Sequence, residues 1–180
     1  MIFKSTLMDK DAVLRSLRRI SHEIVEKNRG VENLCLVGIL RRGVPMARII
    51  AENIKRIEDV DIDVGILDIS AHRDDIDFRE TVESDKTDIS FEISGKTVVL
   101  VDDVLFTGRS VRAAMDALIT MGRPAKIQLA TLIDRGHREL PVCANYIGKS
   151  FPTSRTEKIK VQFEEVDEET CVKLYDTENV

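Results

Sequence analysis

Apolar and polar positions alternate along the chain in two rhythms. Residues 34–39 (LCLVGI) and 98–101 (VVLV) are unbroken apolar runs, the pattern of strands covered on both faces in a parallel sheet. Residues 127–133 (IQLATLI) read as a further core strand, and 60–69 alternate as a strand does. Between these runs the period lengthens. Val13, Leu17, Ile20 and Ile24 share one face of a helix that Asp9 or Asp11 can cap and that Gly30 is placed to end. Residues 45–57 predict a second helix. Residues 111–121 predict a third, with Ala113, Ala114, Ala117 and Leu118 inward and Gly122 and Pro124 closing it. Strands alternating with helices imply an α/β chain whose central sheet is mainly parallel and flanked by helices. Residues 141–163 are less regular, with strand-like pieces at 144–147 and 158–163 that can form a small cover beside the sheet. Residues 70–94 are a long polar stretch, the length of a lid or binding loop.

The chemistry gathers where strands end. Open α/β sheets bind ligands at the carboxyl edge of their strands, and this edge receives three informative turns. In residues 98–110 (VVLVDDVLFTGRS) the apolar run meets Asp102 and Asp103, and Thr107, Gly108 and Ser110 then open a helix. Free N–H groups and the helix dipole at such a start favour an anion, and two carboxylates leaving a buried strand need a cation or ligand hydroxyls. The combination implies a phosphate beside a polyol. Arg41, Arg42 and Gly43 follow the 34–39 strand and suit a second anion. Asp134, Arg135, Gly136, His137 and Arg138 follow the 127–133 strand, and His72-Arg73-Asp74-Asp75 stands at the root of the polar stretch.

Composition narrows the class without changing this picture. The 180 residues are enough for one domain spanning 1–180, and 43% hydrophobic with 33% charged residues describe a globular chain. No apolar run is long enough to span a bilayer and the first residues are too charged for a secretory signal, so a cytoplasmic protein without membrane partners is expected. Cys35, Cys143 and Cys171 are odd in number and lack a CxxC spacing, which argues for reduced thiols. A net charge of −5 argues against non-specific nucleic-acid binding, yet the acids concentrate from Glu164 onward. The outer face of the first helix carries Arg15, Arg18, His22 and Arg29. A P-loop reading fails because Asp103 occupies a required glycine position and Arg109 replaces the lysine.

Residues 98–110 resemble the phosphoribosyl-diphosphate (PRPP) motif of type I phosphoribosyltransferases. Residues 20–28 (ISHEIVEKN), Arg73-Asp74-Asp75, 98–118 and 122–153 further resemble the bifunctional PyrR family, pyrimidine-operon attenuators with uracil phosphoribosyltransferase activity. The resemblance implies a type I phosphoribosyltransferase fold with a small hood and a flexible lid loop. It implies that Leu105, Phe106, Thr107, Gly108, Arg109 and Ser110 cradle the 5′-phosphate, with Val104 in the same substrate-binding run. Asp102 and Asp103 would hold the ribose hydroxyls and Mg²⁺, and Arg41, Arg42 and Gly43 would face the diphosphate. Arg73 would close on that leaving group as a catalytic residue beside the two aspartates, while Asp134 and Arg138 would frame the base. Phe106 stands where purine transferases of this fold commonly carry an acid, and its ring can neither exchange a proton nor accept a hydrogen bond, which favours a pyrimidine.

The same resemblance implies a homodimer or higher homo-oligomer whose basic surface binds a leader mRNA hairpin, with UMP or UTP strengthening the binding. The matching positions are Arg19, His22, Lys27, His137, Arg138 and Lys149, with Arg18 as a contributor. Many relatives carry Thr where Arg18 and Arg41 stand and Arg where Cys143 stands. Two other readings compete: a purine or other base phosphoribosyltransferase that does not bind RNA, and an RNA-binding nucleotide sensor without significant catalysis.

Overall fold

The computed structural model describes residues 1–72 and 85–177. Five strands form a parallel sheet in the order β3-β2-β4-β5-β6: β2 (Leu34–Ile39), β3 (Asp63–Leu67), β4 (Thr97–Leu105), β5 (Lys126–Asp134) and β6 (Tyr146–Ser150). Both faces are covered, which explains the unbroken apolar runs. Leu34, Leu36, Val99 and Val101 pack under α1 (Lys10–Asn28) and α2 (Gly43–Glu58). Cys35, Val37, Val98 and Leu100 pack under α3 (Arg109–Met121). Cys35 and Cys171 are buried free thiols and Cys143 is an exposed one.

Local signals set the ends of α1. Asp9 is the N-cap and its carboxylate accepts the Ala12 N–H at 2.8 Å. At the other end Arg29 takes the left-handed conformation, donating to Glu26 O while the Gly30 N–H reaches Val25 O. This paired closure is a Schellman motif, and its left-handed position belongs to Arg29, one residue before the expected glycine.

A second, three-stranded antiparallel sheet in the order β1-β8-β7 forms the small cover. Its members are β1 (Ile2–Met8), β7 (Glu157–Gln162) and β8 (Cys171–Asp176). The strand expected at 158–163 is β7, but β1 and β8 carry no counterpart in the sequence reading. The acidic end of the chain supplies the central strand of this sheet, and Val172 is fully buried in the α1–α2 core beside Ile159, Val161 and Phe163. The polar stretch is shorter than expected as well. Asp88 bridges Ile66 through paired backbone hydrogen bonds of 2.8 and 2.9 Å, and Ile93 is buried in the α3-side core with Ile89 and Phe91 against it. Residues 73–84 of the proposed lid, Arg73, Asp74 and Asp75 among them, lie outside the described residues.

Candidate active site at the carboxyl edge of the sheet

Two adjoining cavities of 320 and 300 Å³ open at the carboxyl edge and share Asp102 and Ser110. The first is lined by Val104, Leu105, Phe106, Thr107, Gly108, Arg109, Ser110 and Glu139 among others. Gly108 is the N-cap of α3 with φ 95°, a left-handed conformation that costs glycine little and other residues more. No side-chain hydrogen bond comes from the cap residue of this helix, and the Arg109 N–H reaches the Thr107 hydroxyl at 3.4 Å. Donor groups at the start of α3 and the hydroxyls of Thr107 and Ser110 therefore border one space, an arrangement suited to a phosphate dianion. Glu139 pairs with Arg109 at 3.0 Å, and the N–H groups of Glu139 and Leu140 both donate to Thr107 O.

The second cavity brings Asp102 and Asp103 opposite Arg41, Arg42, Asp68, Ser70 and Lys86. Burial pushes the Asp103 carboxyl above the usual carboxylate range, against the opposing effects of the Arg42 charge and a hydrogen bond with Asp102. Burial acts on Asp68 in the same direction, but hydrogen bonds from Ser70 and Lys86 outweigh it and hold this carboxyl low. Asp68 and Lys86 escaped the sequence reading. They come from the end of β3 and from the return of the polar stretch, which the Ile66–Asp88 bridge holds beside that strand. Among the described residues no three His, Cys, Asp or Glu side chains cluster as a metal cage. Asp102 and Asp103 form a two-carboxylate donor set that fits Mg²⁺, which commonly takes one or two protein carboxylates and completes its shell with substrate phosphates and water.

The turn after β2 is held by packing. A Cβ on Gly43 would lie 2.3 Å from Val101 O, so this residue fits only as glycine against β4. Arg41 is exposed toward the cavity. Arg42 also lines it, but its guanidinium is engaged: Nε and Nη2 donate to the two carboxylate oxygens of Asp167 at 3.1 and 2.8 Å. Asp167 Oδ2 also accepts the Phe163 N–H, and the Arg42 hydrogen bonds hold its carboxyl below the usual range. Arg42 thus fastens the turn to the segment between β7 and β8 while it lines the cavity, and a diphosphate would share its guanidinium with Asp167. Replacing Asp167 by alanine is expected to cost about 1 kcal/mol, since the fork is bidentate but Arg42 is more than one-third exposed and screened by solvent. Because the Asp167 carboxyl is held low, its contribution is present above the ordinary carboxylate value and fades as pH falls through the lowered one. Urea denaturation at neutral and acid pH should therefore show the gap between wild type and Asp167→Ala closing on acidification.

The loop after β5 walls the end of the cleft. The Arg135 guanidinium lies 3.8 Å from the centre of the Phe106 ring, and His137 meets that ring edge-on at 6.0 Å. Arg135 is buried, and its donors go to the Thr153 hydroxyl and to the carbonyls of Ser154 and Glu157. Arg138 is an internal strut. It donates to Asp134 at 2.6 Å, to Phe106 O at 2.9 Å and to Val142 O at 3.1 Å. Its expected contacts with base and RNA would have to compete with these bonds.

The remaining basic residues lie along α1 and β6. Arg18, His22 and Lys27 are exposed on α1, and Lys149 and His137 are exposed beyond it. Arg19 docks α1 on β6, donating to Gly148 O at 2.6 Å and Ile147 O at 3.1 Å while pairing with Glu23 at 2.6 Å. It is as much a structural contact as a surface charge.

This geometry has relatives. Residues 5–167 match the phosphoribosyl transferase domain family. The chain is 54% identical to the bifunctional protein PyrR of Acetivibrio thermocellus over 99% of this chain and 97% of that one. It is 59% identical to the PyrR of Caldicellulosiruptor bescii over 92% of each. The chain belongs to the bifunctional PyrR family. Among solved structures it resembles the hypoxanthine phosphoribosyltransferase of Trypanosoma cruzi, with a TM-score of 0.74 at 14% identity and 97% of each chain covered. The Staphylococcus aureus hypoxanthine phosphoribosyltransferase gives 0.69 at 18%, covering 95% of this chain and 92% of that one. At these identities the two enzymes attest the type I phosphoribosyltransferase fold, and PyrR membership singles out this chain within it.

Proposed function

We propose that this PyrR-family chain binds a pyrimidine-operon leader hairpin under the control of uridine nucleotides and also converts uracil and PRPP into UMP and diphosphate. Phe106 carries the reading: one ring forms the wall of the nucleotide cleft and touches His137, a residue of the basic face. A base seated against Phe106 is therefore one side chain away from the RNA surface. A homodimer or higher homo-oligomer in the cytoplasm fits this role.

In the transfer, uracil N1 forms a bond to ribose C1′ as the bond from C1′ to the diphosphate oxygen breaks, and the N1 proton is lost to solvent. The start of α3, with the hydroxyls of Thr107 and Ser110, holds the 5′-phosphate. Asp102 and Asp103 hold the ribose hydroxyls, and Arg41 meets the diphosphate. When bound with PRPP, Mg²⁺ held by Asp102 and Asp103 supplies charge neutralisation for the departing diphosphate. Phe106, backed by Arg135, confines the base so that positioning does most of the work. Arg73 belongs to the same proposal as a group that closes on the leaving group. Diphosphate release from PRPP should require uracil and be negligible with hypoxanthine or guanine. Release with either purine and none with uracil would overturn the base assignment, and no release with any base would leave a sensor without catalysis.

A further inference from the structure

A third cavity, of 430 Å³, lies at the opposite edge of the sheet from the cleft. Lys27 and Arg29 border it from the end of α1, and Thr97 and Lys126 from the first positions of β4 and β5, which are register partners. Three cations, Lys27, Arg29 and Lys126, face this space with a single acid, Glu32, on a chain whose net charge is −5. The amides beside them are already occupied. Asn28 and Gln128 bond each other at 3.1 Å, and both bond the Tyr146 hydroxyl. No ion pair engages Arg29 or Lys126 among the described residues, and both are exposed.

We propose that this cleft is a second contact for the RNA backbone, in which Arg29 and Lys126 each take a phosphate beyond Lys27. The inference rests on the regulatory reading above and extends it. With 19 residues, α1 is about 28 Å long, and it carries Arg18, His22 and Lys27, with Arg29 at its C-cap, from the His137–Lys149 end of the surface to this edge. Two of the cations expected to hold RNA, Arg19 and Arg138, spend hydrogen bonds within the fold, and this cleft supplies cations that do not. The ligand class follows from the donors. Exposed cations strung along a surface suit a polyanion that releases counterions on binding. A small anion would need converging buried donors, and the cleft's amides are spent on one another. Four residues of β4, 98–101, lie between Thr97 at this edge and Asp102 at the reaction site, roughly 17 Å at ordinary strand rise, and the cavities at the two edges share no lining residue, so the cleft can be altered without touching the transfer chemistry.

The test is an anisotropy titration of a labelled hairpin from the leader of the chain's own pyrimidine operon, run from 50 to 200 mM salt, with uracil turnover as the control. For R29Q/K126Q the slope of log K against log salt should be shallower by about 1.8 if the phosphates lie on paired RNA, or 1.4 if single-stranded. On paired RNA the affinity gap between wild type and variant then narrows about tenfold across that range. Uracil turnover should be unchanged, and R29K/K126R should keep the wild-type slope. Equal slopes for wild type and R29Q/K126Q, with wild-type binding intact, would overturn this inference alone. Absence of hairpin binding by the wild type would overturn it together with the regulatory reading, and a matching loss of turnover in R29Q/K126Q would replace it with a folding effect.

Discussion

Asp103→Asn is expected to lower uracil phosphoribosyltransferase turnover by at least about 100-fold, the scale on which loss of a directed electrostatic contact in a preorganised site is felt. The same variant should be more stable than wild type at neutral pH. Burial raises the Asp103 carboxyl above its ordinary range, so the folded chain holds this proton more tightly than the unfolded chain does. The group therefore contributes stability below the unfolded value, and the contribution is lost as pH rises through the folded one. Asparagine keeps the shape without the partly desolvated charge. Steady-state assays and thermal melts on the same preparation should show activity falling while the melting temperature at neutral pH rises, with the two melting curves converging in acid. Unchanged turnover would remove Asp103 from the chemistry.

Gly43→Ala is expected to damage both binding and stability. Its Cβ would sit 2.3 Å from Val101 O, a backbone atom of β4 that cannot swing aside, so the turn carrying Arg41 and Arg42 must move outward. Overpacking of this kind costs roughly 1–3 kcal/mol. The displacement falls on the side of the cleft proposed to meet the diphosphate, so KM for PRPP should rise more than KM for uracil. Urea denaturation gives the first quantity and initial rates at varied substrate give the second. An equal rise in the two KM values would mean that this turn does not hold the diphosphate.

Much of the fold was legible because two-sided burial leaves an unmistakable trace. The runs at 34–39 and 98–101 became adjacent central strands, and the Asp102–Ser110 sequence opens a cleft at their carboxyl edge. Pairings between distant segments were not legible. β1 and β8 are mutual partners, Ile2 opposite Asp176, and their short polar-rich strands bury a face only after the small sheet has assembled. Val172 and Leu174 alternate with Lys173 and Tyr175, a strand signal hidden by the surrounding acids. Likewise Ile89, Phe91 and Ile93 alternate within a polar stretch, and that alternation marks where the stretch returns to the core.

The site divides in the same way. Residue types and spacing located Asp102, Asp103, Phe106, Thr107 and Ser110, but could not show how each arginine is spent. Arg42 is tied to Asp167, 125 residues away, and Arg138 to the Phe106 carbonyl of the neighbouring loop and the Val142 carbonyl of its own. Arg135, which looked like one more basic residue, lies buried against Phe106. A guanidinium has five donors, and only the folded chain decides whether they face a ligand or other parts of the protein.

In the proposed function one nucleotide cleft both reacts and reports to an RNA surface through the Phe106–His137 contact. Titration of labelled leader hairpin with and without UMP at fixed salt tests this coupling. Binding should tighten when UMP is present, and the gain should vanish in Phe106→Ala while hairpin binding without UMP persists. Hairpin affinity that is indifferent to UMP in the wild type would contradict the account.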